Sequence, residues 1–262
     1  AWAAYKDACC RDPGSAFCWG IGFTFEACCP YQEKCFISQS QFGEEDLVIK
    51  TFGWQRKRGG VYVEIGAYDG VMLSNTLKLH SCLGWKGILV EGSPSNFMSL
   101  QQRLPFTRPG NVVVHHGAVC APPMTNLTYM ESKFQDDRWG GPIDGAVSHM
   151  TETLKDSFRF RVLGREMQVP CRPMSAYLGS HAHVDFFSMD VEGSELEVLL
   201  TLDLNRVRVE VFMIELGPWD DGGQKWKVRN LLRNLGYVEC QRTNVTHSGL
   251  FVRRSGPYAG RC

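Results

Sequence analysis

Val61-Tyr62-Val63-Glu64-Ile65, followed at once by Gly66-Ala67-Tyr68-Asp69-Gly70, is the stretch from which the fold of this 262-residue chain can be deduced. Its first half has the β-branched and aromatic residues of a short buried strand. The glycines that follow allow a sharp turn and a close approach of the backbone to a ligand. Open α/β sheets bind nucleotides at the carboxyl ends of their strands, so the turn is a candidate ligand site. A tight strand-to-helix turn that needs no ligand is the alternative.

Strands and helices alternate after this stretch. We expect further strands at 87–91, 112–115, 185–190 and 209–215. We expect helices at 44–54, 74–83 (with Ser74 as its N-cap), 94–104, 194–202 and 225–235. Two last strands, 237–242 and 249–254, form a hairpin. The pattern predicts an α/β fold with a mostly parallel sheet, helices on both faces and one antiparallel strand near the C-terminus.

The segment from about 118 to 183 does not fit this alternation. It contains Pro122-Pro123 and Gly140-Gly141-Pro142 together with several β-rich pieces. We interpret it as an insertion with its own β-hairpin, for which 163–171 is the best candidate. Insertions of this length beside a strand end often shape a substrate site.

Cysteines are concentrated at the start of the chain. Six of the eleven lie in the first 35 residues, namely Cys9, Cys10, Cys18, Cys28, Cys29 and Cys35. The spacing contains no C-x-x-C pair, and no histidine precedes His80, so a disulfide framework is favoured over a zinc site. We predict a disulfide-rich appendage at 1–37, with undetermined pairing, before a main domain at 38–262.

The remaining composition bears on compartment and partners. Sequons at Asn126 and Asn244 agree with a secretory route, as do the cysteines. No run of 18 apolar residues and no signal-peptide pattern is present, so we expect a lumenal (endoplasmic reticulum or Golgi) or secreted chain whose leader or anchor is absent from this sequence. Lys and Arg number 28, as do Asp and Glu, which argues against a nucleic-acid partner.

Two more acidic motifs lie at predicted strand ends. Glu91 ends the second strand, where a carboxylate can accept hydrogen bonds from both ribose hydroxyls of a nucleoside. Asp190 and Glu192 follow the fourth strand in Met189-Asp-Val-Glu-Gly-Ser-Glu195. Acids that favour a helix N-terminus explain part of this segment. They do not explain Asp190, because a charge directly after an apolar strand is costly unless it is used.

Together these motifs resemble class I (Rossmann-like) S-adenosylmethionine-dependent methyltransferases, and more narrowly the FkbM-type methyltransferases. The resemblance covers roughly residues 38–254. It is carried by Ser40-Gln-Phe-Gly-Glu-Glu-Asp-Leu47, Glu64-Ile-Gly-Ala-Tyr-Asp-Gly70 with Ser74-Asn-Thr76, Gly84-Trp-Lys-Gly-Ile-Leu-Val-Glu91, and Asp185-Phe-Phe-Ser-Met-Asp-Val-Glu-Gly-Ser-Glu-Leu-Glu197.

The resemblance implies O-methyl transfer from S-adenosylmethionine to a hydroxyl, often of a sugar or glycan. The residues that it implies for the cofactor are Glu64, Gly66, Ala67, Asp69, Gly70, Ser74, Asn75, Glu91, Gly92, Ser93 and Asp190. Ser74 and Asn75 would reach the carboxylate or ribose of the cofactor, and Glu91 the ribose hydroxyls. Asp190 and Glu192 would face the sulfonium and the acceptor.

A sugar hydroxyl is a poor nucleophile, so a catalytic base is expected. Asp190 is the first candidate, Glu192 the second, and His149 in the insertion a third; His115 and His116 after the third strand are weaker alternatives. Glu215, after the fifth strand, is a further acid at the same edge. Asp190, Glu192 and Glu215 would imitate a divalent-metal site, which is possible but not favoured.

Two other functions remain open from the sequence. The first is a catalytically silent, secreted binding protein on a methyltransferase scaffold, with the cysteine-rich module contacting a partner. The second is an NAD-dependent short-chain dehydrogenase. The absence of a Tyr-x-x-x-Lys pair after the fourth strand and of a G-x-x-x-G-x-G turn argues against it.

Overall fold

The computed structural model describes residues 38–131, 144–150, 165–217, 223–241, 243 and 245–262. The predicted appendage at 1–37, with its six cysteines, lies outside the described residues, as does the sequon residue Asn244. The proposed boundary between the appendage and the main domain therefore stays a prediction. Within the described residues, no helix combines the length and the apolar character needed to cross a bilayer.

A seven-stranded sheet forms the centre of the fold. Its strands are β1 (Val61–Ile65), β2 (Lys86–Glu91), β3 (Val112–His116), β8 (His183–Met189), β9 (Arg208–Glu215), β10 (Tyr237–Glu239) and β11 (Ser248–Arg253). The order is β10-β11-β9-β8-β1-β2-β3, and β11 runs antiparallel to the other six strands. The predicted fold class, a mostly parallel sheet with one antiparallel strand near the C-terminus, is confirmed.

Helices cover both faces of this sheet. One face carries α1 (Glu44–Phe52), α2 (Leu77–Ser81) and α3 (Pro94–Thr107), and the other carries α4 (Met174–Leu178), α5 (Glu195–Leu200) and α6 (Gln224–Asn234). Because β1, β8 and β9 are covered on both sides, their residues are almost continuously apolar and buried.

Several element predictions differ from the structure. The first helix ends at Phe52, and the strand that begins at Tyr237 ends at Glu239. The second helix begins at Leu77, and Ser74 is not its N-cap, because the Ser74 hydroxyl is hydrogen-bonded to Glu64. The third helix continues to Thr107. The stretch 163–171 is not a hairpin: 165–172 is one strand, β7 (Arg165–Arg172), and its antiparallel partner is β5 (Asn126–Glu131). The partner lies far earlier in the chain, where local patterns could not identify it.

The insertion forms a second, four-stranded sheet in the order β4-β7-β5-β6, with β4 at Ala118–Val119 and β6 at Gly145–Ala146. A disulfide between Cys120 and Cys171 joins its β4 and β7 sides. Cys240 and Cys262 form another disulfide, and Cys82 is disulfide-bonded as well. All five cysteines after residue 37 are therefore oxidised.

Candidate active site

The glycine turn after β1 is held against its neighbours on both sides. The backbone N–H groups of Gly66 and Ala67 donate to the carbonyl of Val90 at the end of β2. Gly66 has φ +77°, and a Cβ at this position would collide with the carbonyl oxygen of Asp190. Only glycine fits here, and the tight contact brings the loops after β1, β2 and β8 together at one edge of the sheet.

Glu64 is buried and surrounded by donors of the protein itself. Its carboxylate accepts hydrogen bonds from the hydroxyls of Ser74 and Thr76 and from the backbone N–H of Asn75. The Arg108 guanidinium lies 3.2 Å from Glu64 Oε2 and supplies the opposite charge that a buried carboxylate needs. The structure thus places Glu64 and Ser74 in a network that fixes the turn.

Asp69 and Gly70 also shape the turn. Asp69 Oδ1 accepts hydrogen bonds from the backbone N–H groups of Val71 and Met72, and Arg103 lies 3.4 Å from its other oxygen. The carbonyl of Gly70 accepts from the Arg108 side chain. Both residues lie where the sequence predicts the cofactor turn, and their polar groups hold its backbone.

Glu91 lies at the end of β2, beside the glycine turn. Its two oxygens accept hydrogen bonds of 2.7 Å from the backbone N–H groups of Tyr68 and Ser93. Burial raises the pKa of Glu91 to about 8, against the effect of these donors. A carboxylate has about four lone-pair sites, so acceptor capacity remains for ligand hydroxyls.

Asp190, Glu192 and Glu215 come together at the ends of β8 and β9. One carboxylate oxygen from each lies within 4.8 Å of those of the others. Asp190 is exposed to solvent as a residue, yet dense protein around it raises its pKa, and a hydrogen bond from Glu215 lowers it. Burial and the charges of Asp190 and Glu192 raise the pKa of Glu215 well above its ordinary value. Glu215 therefore holds the proton, and Asp190 is the more acidic partner.

Glu192 completes this acid cluster, which we define as Asp190, Glu192 and Glu215. Burial raises its pKa strongly, and the charges of Asp190, Glu195 and Asp144 add to the effect. Its φ of +51° is uncommon for a side chain that is not glycine. Strained backbone of this kind is found preferentially at functional sites.

The candidate histidines occupy different places. His149 Nδ1 lies 2.8 Å from the hydroxyl of Ser194, and burial lowers the pKa of the ring. His116 stacks on Phe97 and its Nε2 lies 3.2 Å from the carbonyl of Gly92, on the cofactor side. His115 points to the opposite face of the sheet, toward Arg172. The structure therefore brings His149 to the loop after β8 and leaves His115 away from the acid cluster.

The site suits a ligand that carries positive charge and hydrogen-bond donors. Burial raises the pKa values of Glu91, Asp190, Glu192 and Glu215, and the charges of neighbouring acids add to the increase at Glu91, Glu192 and Glu215. A cation bound among them would lower these pKa values. Beside the turn, Asn75 Oδ1 is buried and has no hydrogen-bond partner in the described part of the chain. S-adenosylmethionine, with a sulfonium, an ammonium and ribose hydroxyls, meets both requirements.

Sequence reasoning missed several residues of this region. Arg108 follows a helix in a Thr-Arg-Pro-Gly stretch that reads as surface, yet it is buried beside Glu64. A buried acid at a strand end indicates that some cation is needed, but no local pattern says which one. Tyr129 and Asp144, in the insertion, carry no sequence signal and lie close to Glu91 and Glu192.

Comparison with solved structures gives several methyltransferases of low identity. An FkbM methyltransferase from Methylobacillus flagellatus is 15% identical, with 86% of this chain and 50% of that chain covered and a TM-score of 0.46. A precorrin-6Y C5,15-methyltransferase from Geobacter metallireducens is 13% identical (79% and 84% covered, TM-score 0.41). A SAM-dependent methyltransferase from Aquifex aeolicus is 16% identical (79% and 87% covered, TM-score 0.41). No curated protein matches the sequence.

The family profile described as the methyltransferase FkbM domain matches residues 64–239, from the carboxylate at the end of β1 to the last residue of β10. This range holds the glycine turn, Glu91 and the acid cluster. It confirms the resemblance found in the sequence, and with it S-adenosylmethionine as the cofactor. The chain belongs to the FkbM family of S-adenosylmethionine-dependent methyltransferases.

Proposed function

We propose that this methyltransferase transfers the methyl group to a hydroxyl oxygen of a sugar or glycan in the secretory pathway. The observation that carries the proposal is the pair formed by Asp190 and Glu215 beside the glycine turn. One carboxyl keeps its proton while its neighbour remains the better acceptor for another, as base catalysis at a hydroxyl requires.

Residues of the three loops would hold the cofactor. Glu91 would accept the ribose hydroxyls, and Gly66, Ala67 and Gly70 would let the backbone approach closely. Asn75 Oδ1, which has no hydrogen-bond partner among the described residues, would accept a hydrogen bond from a donor of the ligand. Glu64, Ser74 and Asp69 would act through the turn that they stabilise. When bound, S-adenosylmethionine supplies an electrophilic methyl group.

The acid cluster would serve the acceptor. Asp190 would take the proton of the attacking hydroxyl, and Glu215, hydrogen-bonded to it, would keep the carboxylate oriented. Glu192 would accept a further hydroxyl hydrogen of a polyhydroxylated acceptor. A sugar offers adjacent hydroxyl donors to adjacent carboxylates, which supports this acceptor class over one with a single hydroxyl.

Two observations support the proposed compartment. All five cysteines from Cys82 to Cys262 are disulfide-bonded, a state typical of oxidising compartments. Asn126 lies exposed at the start of β5, where an attached glycan would not enter the core.

Expression in a secretory host should give a product whose mass falls on glycosidase treatment, and Asn126→Gln should remove the part of this mass shift that comes from a glycan on Asn126. A product of unmodified mass would contradict the proposed compartment.

The test of the proposed reaction is transfer of labelled methyl from S-adenosylmethionine to a panel of glycans, including glycoprotein N-glycans, with and without a chelator. We expect label in a methyl ether, with the chelator leaving the rate unchanged. Loss of transfer on chelation, restored by Mg²⁺ or Mn²⁺, would instead give the acid cluster a metal-binding role. A folded protein that gives no calorimetric heat with S-adenosylhomocysteine would favour the silent binding protein.

A further inference from the structure

The loop after β2 is held from outside by the second sheet. Glu131, at the end of β5, accepts hydrogen bonds from the hydroxyl of Ser93 (2.8 Å) and the backbone N–H of Ser95 (2.9 Å). Asp144 Oδ2 accepts a hydrogen bond of 3.0 Å from the Asn96 side chain. Two acids of the insertion therefore hold the end of the loop that begins with Glu91 and the first turn of α3.

A further contact joins Tyr129 of the insertion to Gly92. Three atoms of the Tyr129 side chain (Cε2, Cζ and the hydroxyl oxygen) lie 2.8 Å from the position that a Cβ on Gly92 would occupy. Gly92 does not have the positive φ that favours glycine, so its backbone would tolerate a side chain. What requires a glycine here is the Tyr129 ring, which lies directly on the loop backbone.

Tyr129 also reaches toward the acid cluster. Its hydroxyl donates to the carbonyl of Asp144 at 3.3 Å. The segment 144–150 packs on the loop after β8: a Cβ on Gly145 would lie 3.2 Å from the Cβ of Glu192, and a Cβ on Gly193 would lie 2.6 Å from the carbonyl oxygen of His149. Burial and the charges of Glu91, Asp144, Glu192 and Asp190 raise the pKa of Tyr129, so the phenol stays protonated as a donor.

We propose that Tyr129 is a positioning residue of the cofactor site, through which the second sheet holds the Glu91–Gly92 backbone in the orientation that binds the ribose. The proposal rests on the family's cofactor and on the ribose role of Glu91. The Tyr129 ring holds the loop backbone in place through its contact with Gly92. The hydroxyl adds a weaker link to the segment beside the acid cluster.

The test is calorimetric titration with S-adenosylhomocysteine and with 5′-methylthioadenosine, which keeps the ribose but lacks the amino-acid end. Tyr129→Ala should raise Kd about 10-fold or more for both ligands, because the loop that carries Glu91 loses its support. Tyr129→Phe keeps the ring and should stay within about 3-fold. Tyr129→Leu replaces the alanine variant if that variant does not fold.

Gly92→Ala should match the loss in Tyr129→Ala, because the new methyl group displaces the ring. The double variant should be no worse than Tyr129→Ala alone, since the collision is then gone. Gly260→Ala is the matched glycine control, because its surroundings are open. Tyr177→Phe removes another phenol hydrogen bond to a backbone carbonyl, that of Ala118, and should leave Kd unchanged.

Failure of the cofactor assignment and failure of the positioning role of Tyr129 give different results. A wild-type protein that binds neither ligand would overturn the cofactor assignment itself and the proposal with it. Binding by the wild type with Kd of Tyr129→Ala within 2-fold, whatever its melting temperature, would overturn the positioning role alone. A loss confined to S-adenosylhomocysteine would also overturn it, because Tyr129 would then act at the amino-acid end.

Discussion

Asp190 and Glu215 both carry a carboxyl group, but the protein gives the two groups different pKa values. Asp190 is open to solvent and receives a hydrogen bond, whereas Glu215 is half-buried and faces two other acids. The environment thus separates their pKa values, which is how enzymes assign base and proton-holder roles to similar residues. The sequence places both acids at strand ends but cannot show which keeps the proton, because that depends on burial and neighbouring charge.

Asp190 and Glu91 should be separable by mutation. Asp190→Ala should keep the Kd for S-adenosylhomocysteine within a few-fold and lower kcat by about 100-fold or more, the usual contribution of a general base. Glu91→Gln should weaken binding instead, because an amide NH2 group replaces one of the two oxygens that can accept hydrogen bonds from the ribose. Calorimetry and labelled-methyl transfer measure the two effects. Equal turnover by Asp190→Ala and the wild type would refute its role as base.

Glu215 should tune the pH dependence of Asp190. Glu215→Ala removes the hydrogen bond that lowers the pKa of Asp190, so this pKa should rise. The acid limb of the pH–rate profile of kcat should then move to higher pH, since the base must be ionised to act. Glu239→Ala, an acid outside the cluster that pairs with Arg229, is the control and should leave the profile in place. An unmoved limb in Glu215→Ala would show that the two carboxyls are not coupled.

At the scale of elements, the alternating pattern of the sequence predicts all seven strands of the central sheet, and the ends of six of them to within two residues, since buried parallel strands are short apolar runs between helices. The first strand, 61–65, is observed as predicted. The insertion was not predictable in the same way. β7 pairs with β5, which lies far earlier in the chain, and Tyr129 of β5 lies against Gly92. Such contacts depend on tertiary structure, which a local pattern does not encode.

The turn between β1 and α2 should tolerate no side chain at Gly66. Gly66→Ala adds a collision with the carbonyl of Asp190 to the strain of a positive φ. Gly59→Ala is the control, because Gly59 has a similar φ of +71° but no atom lies within 4 Å of the added Cβ. The control should cost about 1–2 kcal/mol of unfolding free energy, and Gly66→Ala clearly more. Denaturant titration measures both, and equal losses would contradict the close contact between the loops.

At the scale of the whole molecule, several buried acids in different parts of the fold retain protons near neutral pH. Burial raises the pKa of Glu45 to about 7, of Glu91 to about 8 and of Glu195 to about 7, from an ordinary value of 4.5. The folded state therefore binds more protons than the unfolded chain up to these pH values. Its stability falls as pH rises through them.

The protein without added ligand should consequently melt at a higher temperature at pH 6.5 than at pH 8. Each of the three groups lowers the free energy of unfolding by up to about 1.4 kcal/mol per pH unit, as long as it is protonated in the folded state and ionised in the unfolded chain. Below pH 6.5 the histidines oppose this trend, because burial lowers the pKa of His80 to about 4. Glu45→Gln should reduce the slope between pH 6.5 and 8. A melting temperature that rises with pH in this window would contradict the buried state of these acids.

The strand order has a consequence for synthesis of the chain on the ribosome. β1, β2 and β3 are synthesised first. One edge of β1 pairs with β2, but the other edge stays unpaired until β8 is made, where Phe186 pairs with Tyr62. β11 then enters between β9 and β10, both of which precede it in the chain. Until about residue 253 has left the ribosome, the growing chain exposes unpaired apolar strand edges. We therefore expect folding to be completed late in translation, and chaperones to protect the exposed strand edges until then.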